Sequence, residues 1–144
     1  MEIKIRLNDH KYRYDVYQMF NIYFALDELK FVDDGEYIIN IEENQITFAF
    51  NGYYKESLIG ENIKEDIKRL VFESLKDITG EEHPWGILVG IRPSKIALKY
   101  LNEGKSNEEI VEIFKEKHLA AREKAELCIE VAKAEESFVN TDEK

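Results

Sequence analysis

His83-Pro84-Trp85-Gly86-Ile87-Leu88-Val89-Gly90-Ile91-Arg92-Pro93-Ser94-Lys95 divides this chain into two kinds of sequence. The run holds the only tryptophan, both prolines and two of the seven glycines. Neither helical nor strand periodicity accounts for it. Gly86 and Gly90 permit backbone geometry or close approach that other residues resist. Pro93 suits the first turn of a helix continuing through Lys95, Ile96, Leu98 and Leu101. The segment reads as a junction, anchored by Trp85, between an α+β part at 1–82 and a helical part at 83–144.

Before the junction, Ile3, Ile5 and Leu7 alternate with Glu2, Lys4 and Arg6, the pattern of a half-buried strand. Asn8-Asp9-His10 reads as a turn and Lys11–Tyr14 as a second strand, giving a hairpin. Asp15 with Gln18 resembles a capping box, and Tyr14 with Met19 a hydrophobic staple. A helix is then expected to about Leu29, with Met19, Phe20, Tyr23, Phe24 and Leu26 inward. Tyr37–Ile41 and Ile46–Phe50 form a further hairpin. Ile63, Ile67, Leu70, Val71, Leu75 and Ile78 follow helical spacing from Glu61, and Gly80 ends that helix.

After the junction three helices are expected. The first runs from Pro93 to about Asn102. The second follows a Ser106–Glu109 capping box to about Lys117, and the third spans about Ala121 to Phe138, with a frayed tail at 140–144. The fold class is therefore α+β: a small antiparallel sheet of two hairpins packed by two helices, then three helices. On the last helix, Ala125, Cys128, Ile129 and Ala132 form one apolar stripe, and Leu127, Val131, Ala134 and Phe138 an adjacent one. Together they exceed a single core-facing stripe. Either the helix is deeply buried in its own bundle, or the second stripe is an interface for a partner or a second copy.

The chain has 144 residues, 44% hydrophobic and 35% charged, with a net charge of −10. That charge disfavours nucleic acid and anionic membrane surfaces as partners, since phosphate contacts need clustered Lys and Arg. No apolar run approaches the ~20 residues of a membrane span. Met1–Lys4 starts a strand pattern and not a signal peptide, so a cytoplasmic location is expected. The single Cys128 excludes an intrachain disulfide and a cysteine-built metal or cluster site, and no metal ligand set is expected. His10, His83 and His118 lack helical metal-site spacing, and His118 fits a helix C-terminus. No phosphate loop or nucleophile elbow occurs.

One place invites an anion. Arg92, Lys95, Lys99 and Lys105 face a single acid, Glu103. At the start of a helix, Arg92, Ser94 and Lys95 would present cations and free N–H groups to a carboxylate. The alternative is that Arg92 pairs with a local acid and Trp85 fills the core.

Pro84–Lys95 also resembles the PWG-(I/L)-L-x-G-(I/V)-R-P-(T/S)-K signature of oxygen-independent coproporphyrinogen III oxidase-like (coproporphyrinogen dehydrogenase) proteins of anaerobic Gram-positive bacteria. There it precedes a radical SAM domain. Gly104–Ile110 and Glu123-Lys124-Ala125 match the helical run expected in such proteins. Ala121 departs from the Ser or Thr expected as cap of the last helix. The resemblance covers the whole chain, weakly before Pro84. It implies an accessory N-terminal domain in porphyrin and heme biosynthesis, non-catalytic by itself, whose partner is a downstream radical SAM domain. A Cys-x3-Cys-x2-Cys motif there would bind a [4Fe-4S] cluster and S-adenosylmethionine, and the full enzyme would decarboxylate propionate side chains oxidatively. This chain lacks that motif, carries no cofactor of its own, and has no family catalytic residue to carry over. A protein-interaction or dimerisation module is the competing function.

Overall fold

The structure, a computed structural model, describes residues 1–88 and 92–142, with side chains to residue 135. Two compact units divide the chain, Met1–Glu82 and His83–Lys144.

The first unit is α+β. Its strands are β1 (Ile3–Leu7), β2 (Leu29–Phe31), β3 (Tyr37–Ile41), β4 (Gln45–Phe50) and β5 (Tyr53–Leu58). Its helices are α1 (Arg13–Tyr23) and α2 (Ile63–Thr79). The sheet order is β2-β1-β3-β4-β5. β3–β4 and β4–β5 are antiparallel hairpins, while β1 pairs in parallel with β2 and β3. Alternation decides which face is buried: Ile3, Ile5 and Leu7 are buried and Lys4 and Arg6 exposed. α1 and α2 pack on each other and against the sheet. Phe20 sits between them and the sheet, edge-on to Tyr37 and stacked on Phe48.

The expected first hairpin does not form. β1 is an inner strand, so both of its edges are already used by β2 and β3. The Asp9 carboxylate instead accepts the Lys11 N–H at 3.1 Å, which turns His10–Tyr12 into a short 3-10 turn leading into α1. Asp15 is therefore not a cap. It lies in the first turn of α1, buried, with its carboxylate 3.9 Å from Lys68 Nζ. Tyr14 is 69% exposed and makes no staple with Met19.

α1 also ends earlier than expected. Phe24 leaves the helix, Leu26 is exposed, and Leu29–Phe31 joins β1 as β2. The parallel ladder outweighs the helical spacing of those residues. β5 is not among the expected strands, although Asn51-Gly52 is a strong hairpin signal. Both residues take positive φ, +44° and +89°, and the two-residue loop sets Phe50 opposite Tyr53. α2 begins on an Asn62 cap that accepts the Glu65 N–H, and ends at Gly80, whose φ is +74°. Its buried residues Ile67, Leu70, Val71 and Leu75 follow the expected spacing.

The second unit contains α3 (Pro93–Asn102), α4 (Asn107–His118) and α5 (Arg122–Asp142). α3 starts at Pro93 as expected. Ser106 and Glu109 form the reciprocal capping box, the Ser106 hydroxyl accepting the Glu109 N–H and the Glu109 carboxylate accepting the Ser106 N–H. That backbone bond and the hydroxyl hold the Glu109 carboxyl below its ordinary value. The core mixes small residues with aliphatic ones and one aromatic ring: Ala97, Ile110, Phe114, Ala125, Cys128 and Ala132 are buried. α5 continues as helix to Asp142, so residues 140–142 are not a frayed tail. Val89, Gly90 and Ile91 lie outside the described residues, as do the Phe138 side chain and residues 143–144.

Candidate functional site

The start of the junction segment folds as a pair of tight turns. The Gly86 N–H donates to the His83 carbonyl at 2.9 Å, and the Leu88 N–H to the Trp85 carbonyl at 3.2 Å. This turn is fastened to the connection between α4 and α5. The Ile87 N–H donates to the His118 carbonyl at 2.9 Å, and the Ala121 N–H to the Pro84 carbonyl at 2.7 Å. The contact needs glycine at 86 for two reasons. Its φ is +59°, and a Cβ there would fall 2.2 Å from the His118 oxygen and 2.3 Å from the Leu119 oxygen. No side chain fits between two backbones at that separation.

The receiving connection is itself unusual. Leu119 ends α4 with φ +55°, a left-handed geometry normally left to Gly or Asn. Its residue type carries no signal of this, so the feature is invisible in the sequence. Ala121 cannot cap α5 with a side chain. Its carbonyl accepts the Lys124 and Ala125 N–H groups, while its own N–H is taken by Pro84. The turn therefore supplies by backbone pairing some of the order a Ser or Thr cap would give.

Trp85 is partly buried against the core of this unit, with Lys124 Nζ 5.3 Å from its ring centroid. A cation over an indole face at that distance contributes about 0.5–1 kcal/mol. Ile87 and Leu88 are buried. Arg92 donates from its guanidinium to the Glu135 carboxylate on α5 at 3.1 Å, in an exposed pair. Ser94 is buried and Lys95 exposed. An external anion at Arg92 would have to compete with Glu135, as in the local-pair alternative.

The two stripes of α5 separate clearly. Ala125, Cys128, Ile129 and Ala132 are buried, and burial pushes the Cys128 thiol up from its ordinary value. Leu127 is 45% and Val131 38% exposed, and Ala134 is exposed. Beside them, α4 and α5 enclose a groove of about 480 Å³ lined by Glu108, Val111, Glu126, Ile129 and Glu130 among others. Arg122 bridges it, reaching Glu108 at 2.6 Å and Glu126 at 3.5 Å.

Among the described residues no three His, Cys, Asp or Glu side chains group to hold a metal ion. His10, His83 and His118 lie in a 3-10 turn, a loop and the last turn of α4. His118 is buried edge-on to Phe114. One buried thiol does not fit a [4Fe-4S] cluster, which needs three or four thiolates. No helix among the described residues is long and apolar enough to cross a membrane. Compared with protein-family models, curated proteins and solved structures, the chain matches none.

Proposed function

We propose that this chain is the accessory N-terminal domain of an oxygen-independent coproporphyrinogen III oxidase-like radical SAM protein, without catalysis of its own. The observation that carries the reading is the run Pro84–Lys95, with its Pro-Trp-Gly start and Arg-Pro-Ser-Lys end. Gly86, whose positive φ and close approach to Leu119 leave no room for a Cβ, has a backbone duty that would keep a glycine at that place in such a run. The segment's work is then to order α3, α4 and α5, and the carboxylated porphyrinogen is handled by the downstream domain.

The natural reading frame, produced anaerobically with iron and sulfide, tests this. The product should carry a [4Fe-4S] cluster and cleave S-adenosylmethionine while decarboxylating coproporphyrinogen. A frame with no Cys-x3-Cys-x2-Cys motif would refute it. In that protein, Arg92→Gln with Lys95→Gln should leave KM for coproporphyrinogen unchanged, because Arg92 already serves Glu135. A raised KM would restore the anion-site reading.

A second reading is a protein-interaction module, favoured by the exposed Leu127 and Val131 on α5. Light scattering on the chain, alone and with the downstream domain, tests it. A strict monomer with no affinity for that domain counts against it.

A further inference from the structure

Resting on the interaction reading, we propose that the outward stripe of α5 is a docking seam for an amphipathic helix whose apolar seam is flanked by Lys or Arg. The spacing is that of a heptad. Leu127 and Ala134 occupy d positions and Val131 the a position between them, and all three are exposed. Glu130, directly before Val131, and Glu123, one heptad earlier and directly before Lys124, stand at g, both exposed. Neither makes an ion pair among the described residues. The e side is already committed: Cys128 is buried at home and Glu135 holds Arg92. The partner's flanking charges would therefore meet the Glu123 and Glu130 edge.

The same positions argue against a second copy as the occupant. An antiparallel pair of α5 helices sets g against g, and so carboxylate against carboxylate. A parallel pair sets Glu130 against Glu135 of the other chain. Like charges at these positions reject a pairing, and opposite charges select it. Lys124 lies at the next seam position toward the N-terminus but is turned over the Trp85 ring. Arg122 is held by Glu108 and Glu126. Lys133 stands at c, the position of Glu126, and lines the groove together with Glu126 and Glu130.

The probe is a synthetic helical peptide with Leu or Ile at a and d and Lys at e and g, titrated calorimetrically into the full chain. A matched peptide with Glu at e and g is the control. The Lys-flanked peptide should bind at least about tenfold tighter, and added salt should erode the difference. Leu127→Ser with Val131→Ser, at unchanged helical circular dichroism, should weaken binding by about tenfold or more. Glu123→Lys with Glu130→Lys should transfer the preference to the Glu-flanked peptide. Equal binding of both peptides, binding indifferent to the serine variant, or no binding of the Lys-flanked peptide overturns the proposal. So does a homodimer that Leu127→Ser dissolves, although the interaction reading would survive it. Failure of both peptides together with a strict monomer and no downstream-domain binding sinks that reading as well.

Discussion

The two units solve the packing problem with different materials. In the first, rings fill the space over the sheet: Phe20 meets Tyr37 edge-on at 5.3 Å and stacks on Phe48 at 6.3 Å, and Tyr37 stacks on Phe50 at 3.9 Å. Each ring removes much apolar surface from water, and no single contact decides the arrangement. In the second, small residues such as Ala97, Ala125, Cys128 and Ala132 are buried beside Ile110, Ile129 and a single fully buried phenylalanine ring, Phe114. There a backbone-to-backbone contact at one glycine fastens the Pro84–Leu88 turn to the α4–α5 connection. The first unit should therefore yield gradually to core changes, and the second abruptly at one place.

Gly86→Ala is expected to have the largest effect, about 4–5 kcal/mol of destabilisation in urea unfolding followed through Trp85 emission. It combines a left-handed φ with a backbone clash. Gly80→Ala has a similar φ, +74°, but open space around it, and should cost only about 1 kcal/mol. Equal losses at the two glycines would dissolve the contrast between the units.

A ring-to-aliphatic change sharpens the other side of the comparison. Phe48→Leu keeps most of the buried volume and should cost about 1–2 kcal/mol with a single cooperative transition. A loss as large as that of Gly86→Ala would show that the aromatic core is no more tolerant than the turn.

Alkaline pH probes the first unit by another route. Burial, and then the hydrogen bond to Asp77 at 2.6 Å, push the Tyr53 hydroxyl up to about 12. In the unfolded chain it ionises near its ordinary value of about 10. Between those values the unfolded state has lost a proton that the folded state keeps. Stability is thus full below pH ~10 and falls as pH rises toward ~12. Tyr23, raised mainly by burial, adds in the same direction. Tyr53→Phe should flatten part of that decline; an unchanged slope would contradict the assignment.

The smallest effect is expected at Arg92. Its pair with Glu135 is exposed on both sides, so Arg92→Gln should cost no more than about 1 kcal/mol. A larger loss would give the ion pair a share in ordering the second unit.

What could be read from the sequence follows the same division. Alternation in Ile3–Leu7, the apolar run Tyr37–Ile41, the Ser106–Glu109 box, Pro93 and Gly80 all act within a few residues, and each produced the local structure it signals. Lys11–Tyr14 is no strand and Leu29 no helix end because their state depends on a distant strand, β1, whose edge Leu29–Phe31 occupies and Lys11–Tyr14 cannot. Asn51-Gly52 carries the β4–β5 turn in its own two residues, and so was legible. The anchoring of Gly86 on Leu119 was only half legible. The glycine announced a constraint, but nothing in Leu119 announced its left-handed backbone. On α5 the two stripes were visible as a pattern, yet only the packing of α3 and α4 decides which one faces out.

Native-state hydrogen exchange of the Ile87 and Ala121 amides tests most directly whether the Pro84–Leu88 turn orders the second unit. Both N–H groups join the turn to the α4–α5 connection. They should exchange with the opening free energy of core α4 amides such as that of Phe114, and both should lose protection together in Gly86→Ala. Loop-like exchange at Ile87 and Ala121 while α4 stays protected would contradict it.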